Sequence, residues 1–325
     1  MYDIITIGSA TFDVFAKTEA ELITINNGKS KESLIAYPSG SKILMKSLNF
    51  SVGGGGTNTA VAVSRLGLKA GYLGNIGNDD HGRRIIDLLK RENVDFLGTI
   101  SEDMTNYSVI LDSSDDDRTI LVYKDASEKL NYAHLDKEKL MSRWFYFCAI
   151  DVKLLEKLSD YAVKKGIKVA FNPSNYLASK GSDSLKKILK NTDLLILNDE
   201  EARLLIGSAP IPILLHKLNQ LGPDMVIITQ GKNGVELLHS DIIYQADAVK
   251  VKVLETTGAG DAFGASFLSG LLLKNSVEYA IKLGVANSAS VVSKVGPKQG
   301  LLNANDAHDL IVKSKIKIKN INLKK

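Results

Sequence analysis

The sequence predicts an α/β protein, an α/β/α sandwich around a mostly parallel sheet, with a small β-sheet packed beside it. Three observations carry this. From residue 70 onward, short β-prone runs alternate with amphipathic segments of helix length, the rhythm of parallel strands covered on both faces. Two stretches, 14–50 and 99–124, interrupt that rhythm with β-branched runs and turn residues and have no helical period. A length of 325 residues, 44% hydrophobic and 24% charged, suits a globular protein with one large core.

Taken in order, Asp3–Gly8 is a short apolar strand stopped by glycine. Residues 17–50 hold short β-prone pieces between the turn signals Asn26-Asn27-Gly28 and Pro38-Ser39-Gly40. The run Gly53–Gly56 then leads through Thr57-Asn58 into a helix, Thr59–Leu66, with Ala60, Val63 and Leu66 on its apolar face. A strand at Ala70–Gly77 and a helix at His81–Glu92 follow, and Tyr107–Leu111 with Thr119–Tyr123 reads as a hairpin. Strands at Trp144–Ile150, Ile167–Asn172, Asp193–Asn198 and Met225–Thr229 alternate with helices at Lys153–Lys165, Ser182–Lys190, Glu200–Ile206 and Ile211–Leu221. A hairpin at Gly234–Ala246 precedes two helices, Gly260–Leu273 and Ser276–Ser293.

Composition narrows the function. The formal charge is +4, but residues 313–325 hold six lysines and no acid, so the body is close to neutral. That gives no electrostatic case for nucleic acid, and the basic segment reads as a solvated, frayed tail. Cys148 is the only cysteine, which excludes an internal disulfide and fits a reducing cytosol. The N-terminus MYDIITIG does not read as a signal peptide, and no apolar run approaches membrane-spanning length. A cytoplasmic protein without a membrane partner is expected.

Several motifs are absent: GxxxxGK[ST], G-x-G-x-x-G at Gly53–Gly56, and any histidine spacing suited to zinc. Four features remain. In ETTGAGDAF, Gly258-Ala259-Gly260-Asp261 opens a helix, so unpaired N–H groups and the positive helix end would face an anion with a carboxylate at its edge. A close-packed helix start is the plainer reading. Thr229-Gln230-Gly231-Lys232-Asn233-Gly234 lies at a strand end, where ligands of open α/β sheets sit, or is a simple hairpin turn. Asn198-Asp199-Glu200-Glu201 could hold Mg²⁺ through water, or merely cap a helix. Gly53–Asn58 with Asp13 could bind a hydroxyl-rich ligand, or be a flexible helix entry.

In order and spacing, the four together resemble the ribokinase-like carbohydrate kinases, also called the phosphofructokinase-B family, from about Asp3 to Val312. GGGGTN followed by AVAVSRLG is similar to the family's N-terminal signature, and ETTGAGDAF to its C-terminal one. The resemblance implies a single kinase domain over 1–312, a basic tail at 313–325, and a lid formed by about 14–50 and 99–124 that often makes a homodimer. It implies an ATP-dependent, Mg²⁺-requiring transfer of the γ-phosphoryl group to a hydroxyl of a small sugar. Asp261 matches the general base, with Gly258, Ala259 and Gly260 completing the anion hole. Asp13, Gly54, Gly55 and Asn58 match the sugar-binding positions. Asn198 and Glu201 match the N-x-x-E motif that organises Mg²⁺ and phosphates. Thr229, Gly231, Gly234 and Asn287 match nucleotide-binding positions.

Three positions depart from the family pattern. Glu255 replaces an aspartate near which many members bind a monovalent cation such as K⁺, and the extra methylene moves the carboxylate. Gly55 stands where ribokinases often carry lysine, and Lys124-Asp125-Ala126-Ser127 where relatives carry Gly-Ala. Rival readings are a nucleoside kinase, with Phe12, Phe15 and Tyr107 available to hold a purine, and a sugar sensor that has lost turnover.

Overall fold

Ten strands form one twisted layer, in the order Ile318–Asn322, Ile242–Ala246, Val235–His239, Met225–Thr229, Leu194–Asn198, Lys168–Phe171, Ser142–Phe147, Tyr2–Ile7, Ala70–Leu73 and Asp95–Phe96. The structure, a computed structural model, describes residues 1–18, 22–26, 31–112 and 118–323. The seven strands from Met225–Thr229 to Asp95–Phe96 pair in parallel, and the other three are antiparallel.

Successive side chains of a strand point to opposite faces, so a sheet buried on both sides must be apolar at every position. The central strands obey this. Ile4, Tyr146, Ala170, Ile196 and Ile227 join a core with helices Gly55–Arg65, Ala259–Lys274 and Val277–Val292. Their neighbours Ile5, Phe145, Phe147, Phe171, Leu197 and Ile228 join a second core with helices Val152–Lys165, Gly181–Lys190, Asp199–Ile206 and Ile211–Asn219. The layers are helix, sheet, helix, as expected.

The small sheet is also as expected in kind. It has four strands, in the order Arg118–Tyr123, Asn106–Asp112, Thr11–Thr18, Met45–Gly53, and so joins widely separated parts of the chain. Part of the expected 14–50 lid, residues 19–21 and 27–30, and residues 113–117 of the other hairpin lie outside the described residues.

Three local expectations are corrected. The first helix starts at Gly55 rather than Thr59. Gly54 takes φ 91°, and the Thr57 and Thr59 hydroxyls bond the carbonyls of Gly53 and Gly55 one turn back, so the glycine run is the first turn itself. The expected strand Ala70–Gly77 is two strands, because Asn75–Gly77 leaves the main sheet to pair with Thr99–Ser101. The basic segment is not frayed: helix Ala304–Ser314 leads to Ile318–Asn322, which pairs with Ile242–Ala246 as the edge strand. Lys319, exposed on that edge strand, discourages pairing with another chain. Among the described residues, no helix is long and apolar enough to cross a membrane.

Candidate active site

The site begins where helix Ala259–Lys274 begins. Gly258 is left-handed, at φ 80° and ψ −1°, and a Cβ there would come within 2.7 Å of Pro297 Cβ. This lets the chain enter the helix against the loop that carries Pro297. The Ala259 N–H is taken by the Thr256 carbonyl at 3.2 Å, whereas among the described residues the N–H groups of Gly260 and Asp261 have no backbone acceptor. Nothing lies within 4 Å of where a Cβ on Gly260 would stand, and the Thr257 hydroxyl is buried without a hydrogen-bond partner. Two N–H donors and the positive helix end therefore stand at a turn that opens to space at Gly260, the arrangement an anionic phosphoryl group needs.

Asp261 points back across the first turn. Its Oδ2 accepts from Asn58 Nδ2 at 2.8 Å, and its Oδ1 would be 3.4 Å from a Cβ on Gly55, so helix Gly55–Arg65 runs directly beneath the carboxylate. Burial raises the pKa of Asp261, opposed by the Asn58 hydrogen bond and the charge of Lys298. A carboxylate raised this way is a better proton acceptor near neutrality than an exposed aspartate.

Asp13 lies on the sheet side of the same junction. It packs on Gly53, where a Cβ would fall 1.8 Å from its Oδ2, and Ser108 of the adjacent strand donates to it. Burial pushes its carboxyl up to about 6, against the lowering effects of Lys298 and Ser108. Gly54 serves backbone packing, since a Cβ there would meet the Ser9 carbonyl at 2.5 Å.

On the other side of Gly260 opens a cavity of about 750 Å³, lined by Thr229, Gly231, Gly234, Ala259, Phe263 and Ser288, among others. Thr229, Gly231 and Gly234, expected at the nucleotide, are thus brought together. Asn287 is not. It is fully buried, donating to Ser266 Oγ at 2.6 Å and accepting from the Leu302 N–H at 3.0 Å, so it ties helix to helix and loop while Ser288 and Ala289 face the cavity.

Asn198 and Glu201 form a capping box: Asn198 Oδ1 accepts from the Glu201 N–H at 2.8 Å and Glu201 Oε2 from the Asn198 N–H at 2.9 Å. Glu201 is 8% exposed, and burial, Asp261 and Glu200 all raise its pKa. An acid so placed is relieved by a cation. Among the described residues there is no cluster of three or more His, Cys, Asp or Glu side chains placed to hold a metal ion. Glu255 Oε2 accepts from the Gly296 N–H at 2.9 Å.

Sequence reasoning missed Lys298 and the cavity wall at Asp247–Val253. Lys298 sits in VGPKQG, a loop without a recognisable motif, yet is 5% exposed and donates to Val52 O at 2.7 Å, Thr57 Oγ1 at 3.0 Å and Asn58 Oδ1. Only its position two residues after a glycine that meets Glu255 would have marked it.

Comparison with known proteins agrees with this geometry. An uncharacterized sugar kinase of Archaeoglobus fulgidus is 29% identical over 253 residues, covering 76% of this chain and 100% of that one. A 5-dehydro-2-deoxygluconokinase of Bacillus subtilis is 28% identical over 283 residues, covering 80% and 86%. In fold, Arabidopsis thaliana ribokinase complexed with ribose and ATP superposes with a TM-score of 0.81 at 21% identity, over 95% of this chain and 98% of that one. A nucleoside kinase of Methanocaldococcus jannaschii gives 0.79 at 22%, over 96% and 99%. The model of the pfkB family carbohydrate kinases matches residues 3–304, nearly the whole length. The chain therefore belongs to the pfkB family of carbohydrate kinases, phosphotransferases that take an alcohol group as acceptor.

Proposed function

We propose that this chain transfers the γ-phosphoryl group of ATP to a hydroxyl of a small sugar, with Asp261 as the general base. The observation that carries the reading is the placement of Asp261. It holds Asn58 at 2.8 Å on one side, while Ala259 and Gly260 of its own first turn line the cavity on the other. A hydroxyl held by Asp13 and Asn58 would present its proton to Asp261, and the helix terminus would stabilise charge on the transferring phosphoryl group. ATP would lie in the cavity over Thr229, Gly231 and Gly234. Mg²⁺, organised through Glu201 and Asn198, supplies charge neutralisation on the phosphates when bound. The rest is positioning, which phosphoryl transfer mainly asks of a protein.

A nucleoside acceptor is less well supported. Phe12 and Phe15, available in sequence to hold a purine, are 3% and 5% exposed, and the Phe12 ring already stacks on His81 at 4.2 Å and on Phe50 at 5.9 Å. A monovalent cation such as K⁺ beside Glu255 completes the reading, and it would share that carboxylate with the Gly296 N–H. A homodimer through the lid is supported by Leu48, Phe50 and Leu121, which are 44%, 55% and 55% exposed. By register they fall on the face opposite Asp13.

ADP release measured over a panel of sugars, sugar acids and nucleosides tests the reading. Turnover of a sugar is expected. Preferential turnover of a nucleoside replaces the substrate class, and tight binding of a sugar without any turnover makes the protein a sensor. Titrating K⁺ into the same assay should raise kcat, and no response removes the cation.

A further inference from the structure

Lys298 has no part in the chemistry just described, yet its ammonium is buried at the centre of the site. It carries three protons, and Val52 O, Thr57 Oγ1 and Asn58 Oδ1 accept them. No donor is left over for a substrate. The loop holding it is clamped from two sides. Glu255 fixes Gly296, and Arg65, itself held by Glu92, donates to the carbonyls of Lys298 and Leu301 at 2.9 Å each.

The consequence falls on Asn58. An amide is nearly symmetric in shape, so sterics alone do not decide which end faces Asp261. Here one end meets an ammonium and the other a carboxylate. Flipped, the NH₂ would face the ammonium and the oxygen would face Asp261, two contacts of like sign in a site shielded from water. Resting on the reading of Asp261 as base, we infer that Lys298 is a positioning residue for phosphoryl transfer, orienting the Asn58 amide toward Asp261.

The electrostatics agree. Asp13 faces Lys298 from the small sheet, Asp261 from its helix, and Glu92 and Arg65 from behind, while Glu255 acts on Asp13. Burial lowers Lys298 to about 7 despite the carboxylates that raise it, and Lys298 lowers both Asp13 and Asp261. Removing its charge raises Asp261 further. Since the base must be unprotonated, the acid limb of kcat/KM then moves to higher pH.

The test is Lys298→Met in the full chain, on the best sugar of the panel. Expected are a kcat lower by roughly 10–100-fold, a nucleotide KM within about twofold, and an acid limb shifted upward. In an Asn58→Ala background the same change should cost less than about threefold, because the two act as one unit. Folded Lys298→Met with wild-type kcat and an unmoved limb overturns the inference. Should that variant not fold, Lys298→Arg carries the test. It keeps the charge in a different shape, so kcat falls while the limb stays, and a limb that rises overturns the inference.

A second readout needs no substrate and so stands apart from the kinase reading, which wild-type turnover tests. A carboxyl whose folded pKa is raised contributes stability below its unfolded pKa and loses it as pH rises through the folded one. Loss of the ammonium raises Asp13 and Asp261 further, so the melting-temperature loss of Lys298→Met grows between about pH 5 and about pH 7. An equal loss at both overturns the coupling.

Discussion

Asp261 is enclosed by helix termini, by Asn58 at 2.8 Å and by the field of a buried lysine, whereas across the junction Phe50 and Leu121 of the small sheet stand 55% exposed. The two regions are joined at Asp13 and Gly53, yet they are built from opposite materials. The first groups the buried Asp13, Glu201 and Lys298 with a half-buried Asp261, on backbone packed too closely for a side chain: a Cβ on Gly54 would meet Ser9 and one on Gly258 would meet Pro297. The second is a four-stranded sheet whose strand Met45–Gly53 is exposed from Met45 to Phe50 on both faces. A centre that stabilises developing charge must not reorganise during the reaction, while a lid must open to admit its ligand. Under the proposed roles of Asp261 as base and the small sheet as lid, burial in one and exposure in the other answer those demands.

The largest effect that would break the comparison is chemical. Asp261→Asn keeps the shape and the neighbours but removes the proposed base, so sugar and nucleotide binding should persist while kcat falls by about 10²–10⁴-fold. Isothermal titration beside steady-state ADP release reads both. Turnover near wild type would remove Asp261 from its role. The next effect is on stability. Phe145 is fully buried in the second core, and Phe145→Ala should cost about 3–5 kcal/mol in denaturant unfolding. An effect as small as that expected for an exposed lid residue would mean the main sheet is not the rigid part.

The same division explains what was legible in the sequence. The parallel layer was readable because strands buried on both faces must be apolar throughout, as Phe145-Tyr146-Phe147 and Leu194–Leu197 are. The helix start at Gly258–Asp261 was readable because ETTGAGDAF places glycines directly before a run of small and apolar residues. Lys298 was not, since its meaning comes from Val52, Thr57 and Asn58, which lie over two hundred positions away in the chain. The burial of Asn287 was not legible for the mirror-image reason: helical spacing does not say which residue faces a cavity, and its neighbour Ser288 does so. The basic segment misled because net charge hid the alternation Ile316, Ile318 that lets it pair at the sheet edge.

Gly258→Ala probes the border between the two regions. At φ 80° an alanine is strained by roughly 1–2 kcal/mol. Its Cβ would also press on Pro297, one residue from Lys298. Both a lower melting temperature and a kcat reduced by roughly tenfold are expected. Loss of stability with kcat intact would show that the loop at 296–298 can move without disturbing Asp261, and would detach Lys298 from the centre.

The smallest effect on folding should come from the lid, and it is the one that sharpens the comparison most. Leu121 is 55% exposed, on the row with Val109, Val14 and Phe50. Leu121→Lys should alter unfolding free energy by no more than about 0.5 kcal/mol, the range of ordinary surface changes. If the apolar row is covered by the lid of a second copy, however, two lysines brought together across a twofold interface would repel in a desolvated setting. Sedimentation at micromolar concentration should then shift from dimer to monomer, with the acceptor KM rising and kcat at saturation less affected. A wild-type protein that sediments only as a monomer would leave that row without a partner copy.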